Sequence, residues 1–157
     1  MLFRSTSDGG YFVAGSSFSG ISGDKTQASR GSWDYWTLRL DSAGNIIWDR
    51  RYGSTDDEFA TAADTVAGGG FIIAGYSQSP AGGDKSQYCQ GQWDYWVVRI
   101  DGQGNKVWDK TYGGNFTDWL FDAVSTADGG FLLGGQSFSD ATGDKSEPNN
   151  EIGKAHV

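Results

Sequence analysis

Gly31-Ser32-Trp33-Asp34-Tyr35-Trp36 recurs sixty residues downstream as Gly91-Gln92-Trp93-Asp94-Tyr95-Trp96. The same offset relates Gly23-Asp24-Lys25 to Gly83-Asp84-Lys85 and to Gly143-Asp144-Lys145. It also relates Gly9-Gly10-Tyr11 to Gly69-Gly70-Phe71 and to Gly129-Gly130-Phe131. Aligned without a gap, residues 11–70 and 71–130 agree at 25 of 60 positions. A fixed period of this length marks tandem duplication of a unit that buries its apolar face only by stacking on its neighbours. The pattern defines the end of a preceding unit (1–10), two full units (11–70 and 71–130) and a truncated third (131–146). A tail (147–157) follows that is unrelated to the repeat, with Gly153-Lys154-Ala155-His156 where Trp-Asp-Tyr-Trp is due.

Within a unit the periodicity is that of strands. Phe71–Ser77 is a short apolar run after a Gly-Gly turn, as a strand buried on both faces requires. From Asp94 to Asp101, Trp96, Val98 and Ile100 alternate with Tyr95, Val97 and Arg99, a period of two. Gly102-Gln103-Gly104-Asn105 reads as a hairpin turn, because Gly and Asn tolerate positive φ. Asp101, like Asp41, stands where its carboxylate caps that turn. A return strand covers Lys106–Tyr112, a fourth runs from about Thr117 to Thr126, and Asp128-Gly129-Gly130 closes the unit. No stretch sustains a helical period. The chain is therefore all-β, built of tandem four-stranded antiparallel units of the β-propeller-blade type. About 2.5 blades are present, in a partial or open propeller; a solenoid of hairpins is the competing architecture.

Asp-Gly-Gly-Phe, Ala-Gly-x-Ser, Gly-Asp-Lys-[Ser/Thr], Trp-Asp-Tyr-Trp, Arg-[Leu/Ile]-Asp-x-x-Gly-Asn and Trp-Asp-x-x-Tyr-Gly resemble the repeats of large secreted bacterial proteins. Those proteins commonly carry a C-terminal sorting domain for type IX secretion. The resemblance spans residues 3–146 and implies a propeller-like fold, export and surface exposure, and no particular reaction. The Asp41–Trp48 hairpin is also similar to the Asp-box hairpin of sialidase-type propellers and to the tryptophan-docking hairpin of quinoprotein propellers. In both families that hairpin is structural. A secreted or cell-surface location follows from the resemblance alone. Residues 1–10 show no signal-peptide pattern, and no apolar run has the length of a membrane span, features that by themselves read as cytoplasmic.

Composition narrows the function. A net charge of −8 argues against nucleic acid, whose phosphates require clustered Lys and Arg. Cys89 is alone, so the chain forms no internal disulfide and no cysteine metal cluster. His156 is the single histidine and lies in the tail, which removes histidine triads and histidine metal sites. Trp36, Trp48, Trp96 and Trp108 read as inter-blade core. Asp56-Asp57-Glu58 is the one acidic cluster without a repeat-mate and reads as a solvated turn before a strand.

The candidate ligand-binding rim is formed by Asp24, Lys25, Trp33, Asp84, Lys85, Trp93, Asp144 and Lys145. The loop between the second and third strands of each blade brings these residues beside the turns at Gly53 and Gly113-Gly114. Repeated carboxylates with nearby carbonyls suit calcium; the plainer reading is a carboxylate capping its own loop beside a solvated lysine. Trp33 and Trp93, at loop–strand junctions, suit stacking on sugars. The expected function is non-enzymatic, without cofactor: a scaffold or adhesion module for a surface protein or glycan, with neighbouring repeats or self-association as further partners. The alternatives are a piece of a propeller-type carbohydrate-active enzyme whose paired carboxylates lie elsewhere, and a gene fragment with no role of its own.

Overall fold

The computed structural model describes residues 2–149. Its strands are β1 (Leu2–Ser5), β2 (Tyr11–Ser17), β3 (Asp34–Leu40), β4 (Ile46–Tyr52) and β5 (Glu58–Thr65), followed by β6 (Phe71–Ser77), β7 (Asp94–Ile100), β8 (Lys106–Tyr112), β9 (Asp118–Ser125) and β10 (Phe131–Ser137). No helix occurs among the described residues. The strands form three antiparallel meanders, ordered β1-β2-β3-β4, β5-β6-β7-β8 and β9-β10, and none of the three is closed on itself. Register repeats with the sequence: Tyr11 pairs with Leu40 and Ser17 with Asp34, as Phe71 pairs with Ile100 and Ser77 with Asp94.

The covalent repeat and the sheets are out of phase. Asp128-Gly129-Gly130, which closes the sequence unit, is the hairpin turn joining β9 to β10 within one sheet. Gly129 has φ 85, the left-handed backbone that a tight antiparallel turn needs and that Gly adopts without strain. The crossing between sheets falls instead at the turns after β4 and β8, at Gly53 and Gly113. The last strand of each covalent repeat is thus the first strand of the next sheet.

Both junctions between sheets are filled by apolar side chains. Phe12, Tyr35 and Tyr52 of the first sheet meet Phe71, Ile73, Trp96, Val98 and Ile100 of the second. Ile72, Ala74 and Val97 of the second meet Leu120 and Ala123 of the third. Strand β6 serves both, odd residues towards one neighbour and even residues towards the other, as a period of two dictates. Ile72 and Ile73 are both fully buried, each contributing roughly 1.5–3 kcal/mol of transfer free energy.

The sheets converge along one strand from each: β5 lies against β1 and against β9. Residue size follows this wedge. Strand β5 carries Ala60, Ala62 and Ala63, which let backbones approach, whereas β4 carries Trp48 and Tyr52. These two long side chains span the wider gap, Trp48 Nε1 donating to the Gly102 carbonyl at 3.1 Å and Tyr52 Oη to the Gly104 carbonyl at 2.6 Å.

Candidate functional site

Each Gly-Asp-Lys loop is a tight turn. In the second, Gly82 and Lys85 exchange backbone hydrogen bonds of 2.9 and 2.8 Å, and Gly83 has φ 55. The lysines are not solvated, contrary to expectation: Lys25 and Lys85 are only 3% and 2% exposed. Lys25 Nζ donates to Ser17 Oγ, the Ser19 carbonyl and Ser29 Oγ, and Lys85 Nζ donates to the Gln87 carbonyl and Thr111 Oγ1. Lys145 donates to the Ser139 carbonyl and Asn149. Each ammonium pins its own loop, and burial pushes the Lys25 amine down. Cys89 stands where the first unit has Ser29, and its thiol donates to the Ser77 carbonyl as Ser29 Oγ does to Ser17.

The aspartates do not cap their own loops either. Asp84 accepts from Gly53 N at 3.2 Å and from the Arg51 and Arg30 guanidiniums at 3.2 and 3.4 Å, all in the preceding sheet or its loops. Asp144 accepts from Gly113 N at 3.3 Å and from Gln90 Nε2 at 2.7 Å. Both carboxylates are clamps between sheets, committed to nitrogen donors. Asp24 has no preceding sheet to grip among the described residues and is exposed. No cluster of three His, Cys, Asp or Glu side chains suited to a metal occurs among the described residues.

A second set of acids lies beneath these loops. Asp34, Asp94 and Glu58 are 0% exposed and Asp118 is 3% exposed. A methyl group on Gly53 would touch both Asp34 and Glu58, and one on Gly113 would touch both Asp94 and Asp118. Glu58 is therefore not a solvated turn residue but the repeat-mate of Asp118. It accepts from Ser54 N and Ser77 Oγ, both at 2.9 Å, as Asp118 accepts from Gly114 N and Ser139 Oγ. Burial pushes Glu58 up to about 7 and Asp94 up to about 6, ahead of the opposing hydrogen bonds. The buried Oδ1 atoms of Asp34 and Asp94 have no hydrogen-bond partner among the described residues. These buried acids hold the turns at Gly53-Ser54 and Gly114 in place through their hydrogen bonds.

An aromatic strip also runs along this rim. Phe18 lies 4.7 Å from Trp33 between ring centroids, Trp33 lies 5.7 Å from Phe59, and Phe59 lies 5.8 Å from Trp93 and 5.6 Å from Tyr76. Tyr76 continues to Trp119 at 6.3 Å and Trp119 to Phe138 at 5.7 Å. The rings form one strip crossing all three sheets, following the starts of β5 and β9 where the sheets converge. Phe18 and Phe138 are 64% and 48% exposed, and the intervening tryptophans are half-buried. At one end Phe116, Thr117, Trp119 and Phe138 line an open groove of about 370 Å³. Of the sequence candidates, the structure brings Trp33 and Trp93 into this strip, uses Asp84 and Asp144 at the sheet junctions and the three lysines within their own loops, and leaves Asp24 exposed. Phe59 and Trp119 were missed, although an aromatic directly after an acid, sixty residues apart, was a visible signal.

No family model matches the chain. It is 28% identical over 122 residues to a protein named Regulatory protein FlaEY from Caulobacter vibrioides, an alignment covering 74% of this chain. The chain spans only 13% of that relative's length.

Proposed function

We propose that the chain is a non-enzymatic β-propeller-type repeat module of a secreted or cell-surface protein, binding a glycan along the aromatic strip. The strip itself carries this reading. Rings held in place by tilted and edge-to-face packing against one another are ordered at little entropic cost, and aromatic faces are the surfaces on which sugar C–H groups stack. The convergence of the sheets along β1, β5 and β9 supports the blade reading, since blades set radially approach through their inner strands. The resemblance of the motifs to secreted repeats supports the location. Similarity to a short part of a much longer regulatory protein favours a second reading, in which the same strip docks a protein segment.

Calorimetric titration with a panel of soluble oligosaccharides tests the proposal, with the Trp93→Ala and Phe138→Ala variants as controls. Saturable binding weakened at least tenfold by both substitutions supports it. Absence of binding across the panel, or binding indifferent to both, refutes it and leaves the protein-docking reading.

A further inference from the structure

The turns joining β1 to β2, β5 to β6 and β9 to β10 lie at the far end of the sheets from the aromatic strip, and one of them departs from the repeat. Thr6-Ser7-Asp8-Gly9-Gly10 and Thr126-Ala127-Asp128-Gly129-Gly130 are matched in the middle sheet by Val66-Ala67-Gly68-Gly69-Gly70. In the first turn Asp8 accepts from Thr6 Oγ1 at 2.6 Å, from Gly10 N at 3.3 Å and, through both carboxylate oxygens, from Arg39 Nη2. The Thr6 hydroxyl, the Gly10 N–H and the Arg39 guanidinium hold the Asp8 carboxyl down to about 2. Asp128 likewise accepts from Thr126 Oγ1 and Gly130 N. The middle turn has neither the acid nor the hydroxyl.

Arg99, the repeat-mate of Arg39, therefore lacks the carboxylate. Its Nη1 donates to the carbonyls of Phe71 and Ile100, as Arg39 Nη1 donates to those of Tyr11 and Leu40. Its Nη2, at the place where Arg39 meets the acid, donates instead to the Gly69 carbonyl. The backbone is turned to supply that oxygen. Gly68, Gly69 and Gly70 have φ of 85, 101 and 79, whereas in the first turn Gly9 alone is positive. A Cβ on Gly68 meets nothing within 4 Å, so the place of the missing side chain is open. Burial pushes the Arg99 guanidinium down, opposed by Asp101, whose own oxygens are committed to Gln103 N, Asn105 N and Asn105 Nδ2.

We infer that the Gly68–Gly70 turn and Arg99 form a binding site for a carboxylate ligand, which takes the place that Asp8 holds over Arg39. The ligand's oxygens receive Arg99 Nη2, and the Gly69 carbonyl is released. A carboxylate offers the guanidinium two charged oxygens where the backbone offers one neutral oxygen, which favours the exchange. Glycines change φ without steric cost, so the turn relaxes to the form of the first, with Gly70 N–H facing the ligand as Gly10 N–H faces Asp8. The ligand class is a carboxylate on a short, slim stem, the shape that an aspartyl side chain presents in the first turn. The site is separate from the aromatic strip, and the inference is independent of the glycan reading.

The test titrates the isotope-labelled full chain with acetate and, separately, with N-acetyl-aspartate amide, chloride holding the ionic strength constant. Nuclear magnetic resonance follows the backbone amides and the arginine Nε–H groups. The expected result is saturable shifts at Gly68, Gly69, Gly70 and Arg99 with at least one probe. Gly68→Asp supplies the carboxylate from within and weakens binding by about tenfold or more, whereas Gly68→Ala, without a charge, keeps it within about twofold. Tighter binding of N-acetyl-aspartate amide than of acetate supports the site and assigns the carboxylate to a polypeptide; binding no tighter supports it and assigns a small free acid. Failure of both probes to saturate overturns the inference. So do shifts centred away from Arg99, a Gly68→Asp variant that binds as the parent does, or equal losses in the Asp and Ala variants.

Discussion

Asp84 and Gly53 exchange two hydrogen bonds across the first sheet junction, Asp84 N–H to the Gly53 carbonyl at 3.0 Å and Gly53 N–H to the Asp84 carboxylate at 3.2 Å. Asp144 and Gly113 repeat the exchange at 2.9 and 3.3 Å. The repeated aspartates are therefore read as couplings between neighbours, and their worth depends on whether a neighbour is present.

Burial pushes the Asp84 carboxyl up despite the guanidiniums beside it, so desolvation offsets much of the ion-pair attraction. Replacing Asp84 by Ala then chiefly removes hydrogen bonds to a charged acceptor and costs about 2 kcal/mol. Asp24→Ala, at the equivalent position but with no partner among the described residues, changes stability by less than about 0.5 kcal/mol. Urea-unfolding midpoints of the two variants check this contrast. Equal losses would show that the loop, not the junction, is what the aspartate stabilises.

Gly75 and Gly15 occupy the same place in successive sheets but not the same surroundings. A Cβ on Gly75 would collide with the backbone carbonyl of Phe59, whereas one on Gly15 meets nothing within 4 Å. Gly75→Ala is expected to cost about 3 kcal/mol or more through forced backbone movement. Gly15→Ala is expected to leave the melting temperature nearly unchanged.

The buried acids set a pH dependence. Glu58 is raised from 4.5 to about 7, so between these values the folded chain holds a proton that the unfolded chain has released. Stability therefore falls as pH rises from 4.5 to 7, by roughly 2–3 kcal/mol if Glu58 acted alone. Asp94, raised from 3.8 to about 6, adds a loss in the same direction over its own window. Asp49, Asp64 and Asp109 are lowered by their hydrogen bonds and act oppositely at acid pH, where protonating them is destabilising. In chemical unfolding across pH 4.5–8, Glu58→Gln is expected to show a shallower decline than the parent. An unchanged slope would place the titration elsewhere.

The tyrosine hydroxyls give a separate check on the junctions. Tyr35→Phe and Tyr52→Phe each remove a buried bond to a carbonyl and cost about 1 kcal/mol. Tyr112→Phe, at an exposed position, is expected to be neutral by thermal melting.

The strands themselves were legible because duplication displays the same alternation twice: Trp96, Val98 and Ile100 can be read against Trp36, Leu38 and Leu40. The turns were legible for the same reason. Asp41 and Asp101 each accept from two backbone N–H groups and an Asn side chain, as their spacing implied. The phase of the sheets was not legible, since a period has no intrinsic starting point and the Gly-Gly turns look like boundaries. Nor was the inward turn of Glu58, because three consecutive acids look solvated, and its partner Ser77 lies nineteen residues away. The lysines misled by their charge: their burial depends on carbonyl and hydroxyl acceptors that only the closed loop assembles. Of the candidate rim, Trp33 and Trp93 joined the aromatic strip, Asp24 and Asp144 stayed exposed, and Lys25 and Lys85 turned inward.

The offset between covalent repeat and sheet bears on how such a chain changes over generations. Any sixty-residue segment, wherever its endpoints fall, carries one complete set of strands and one complete junction. Unequal crossing-over that gains or loses such a segment leaves every remaining neighbour pair with its aspartate–glycine clamp and its buried acids unaltered. The number of sheets is thereby free to drift, with no new interface having to be invented at each step.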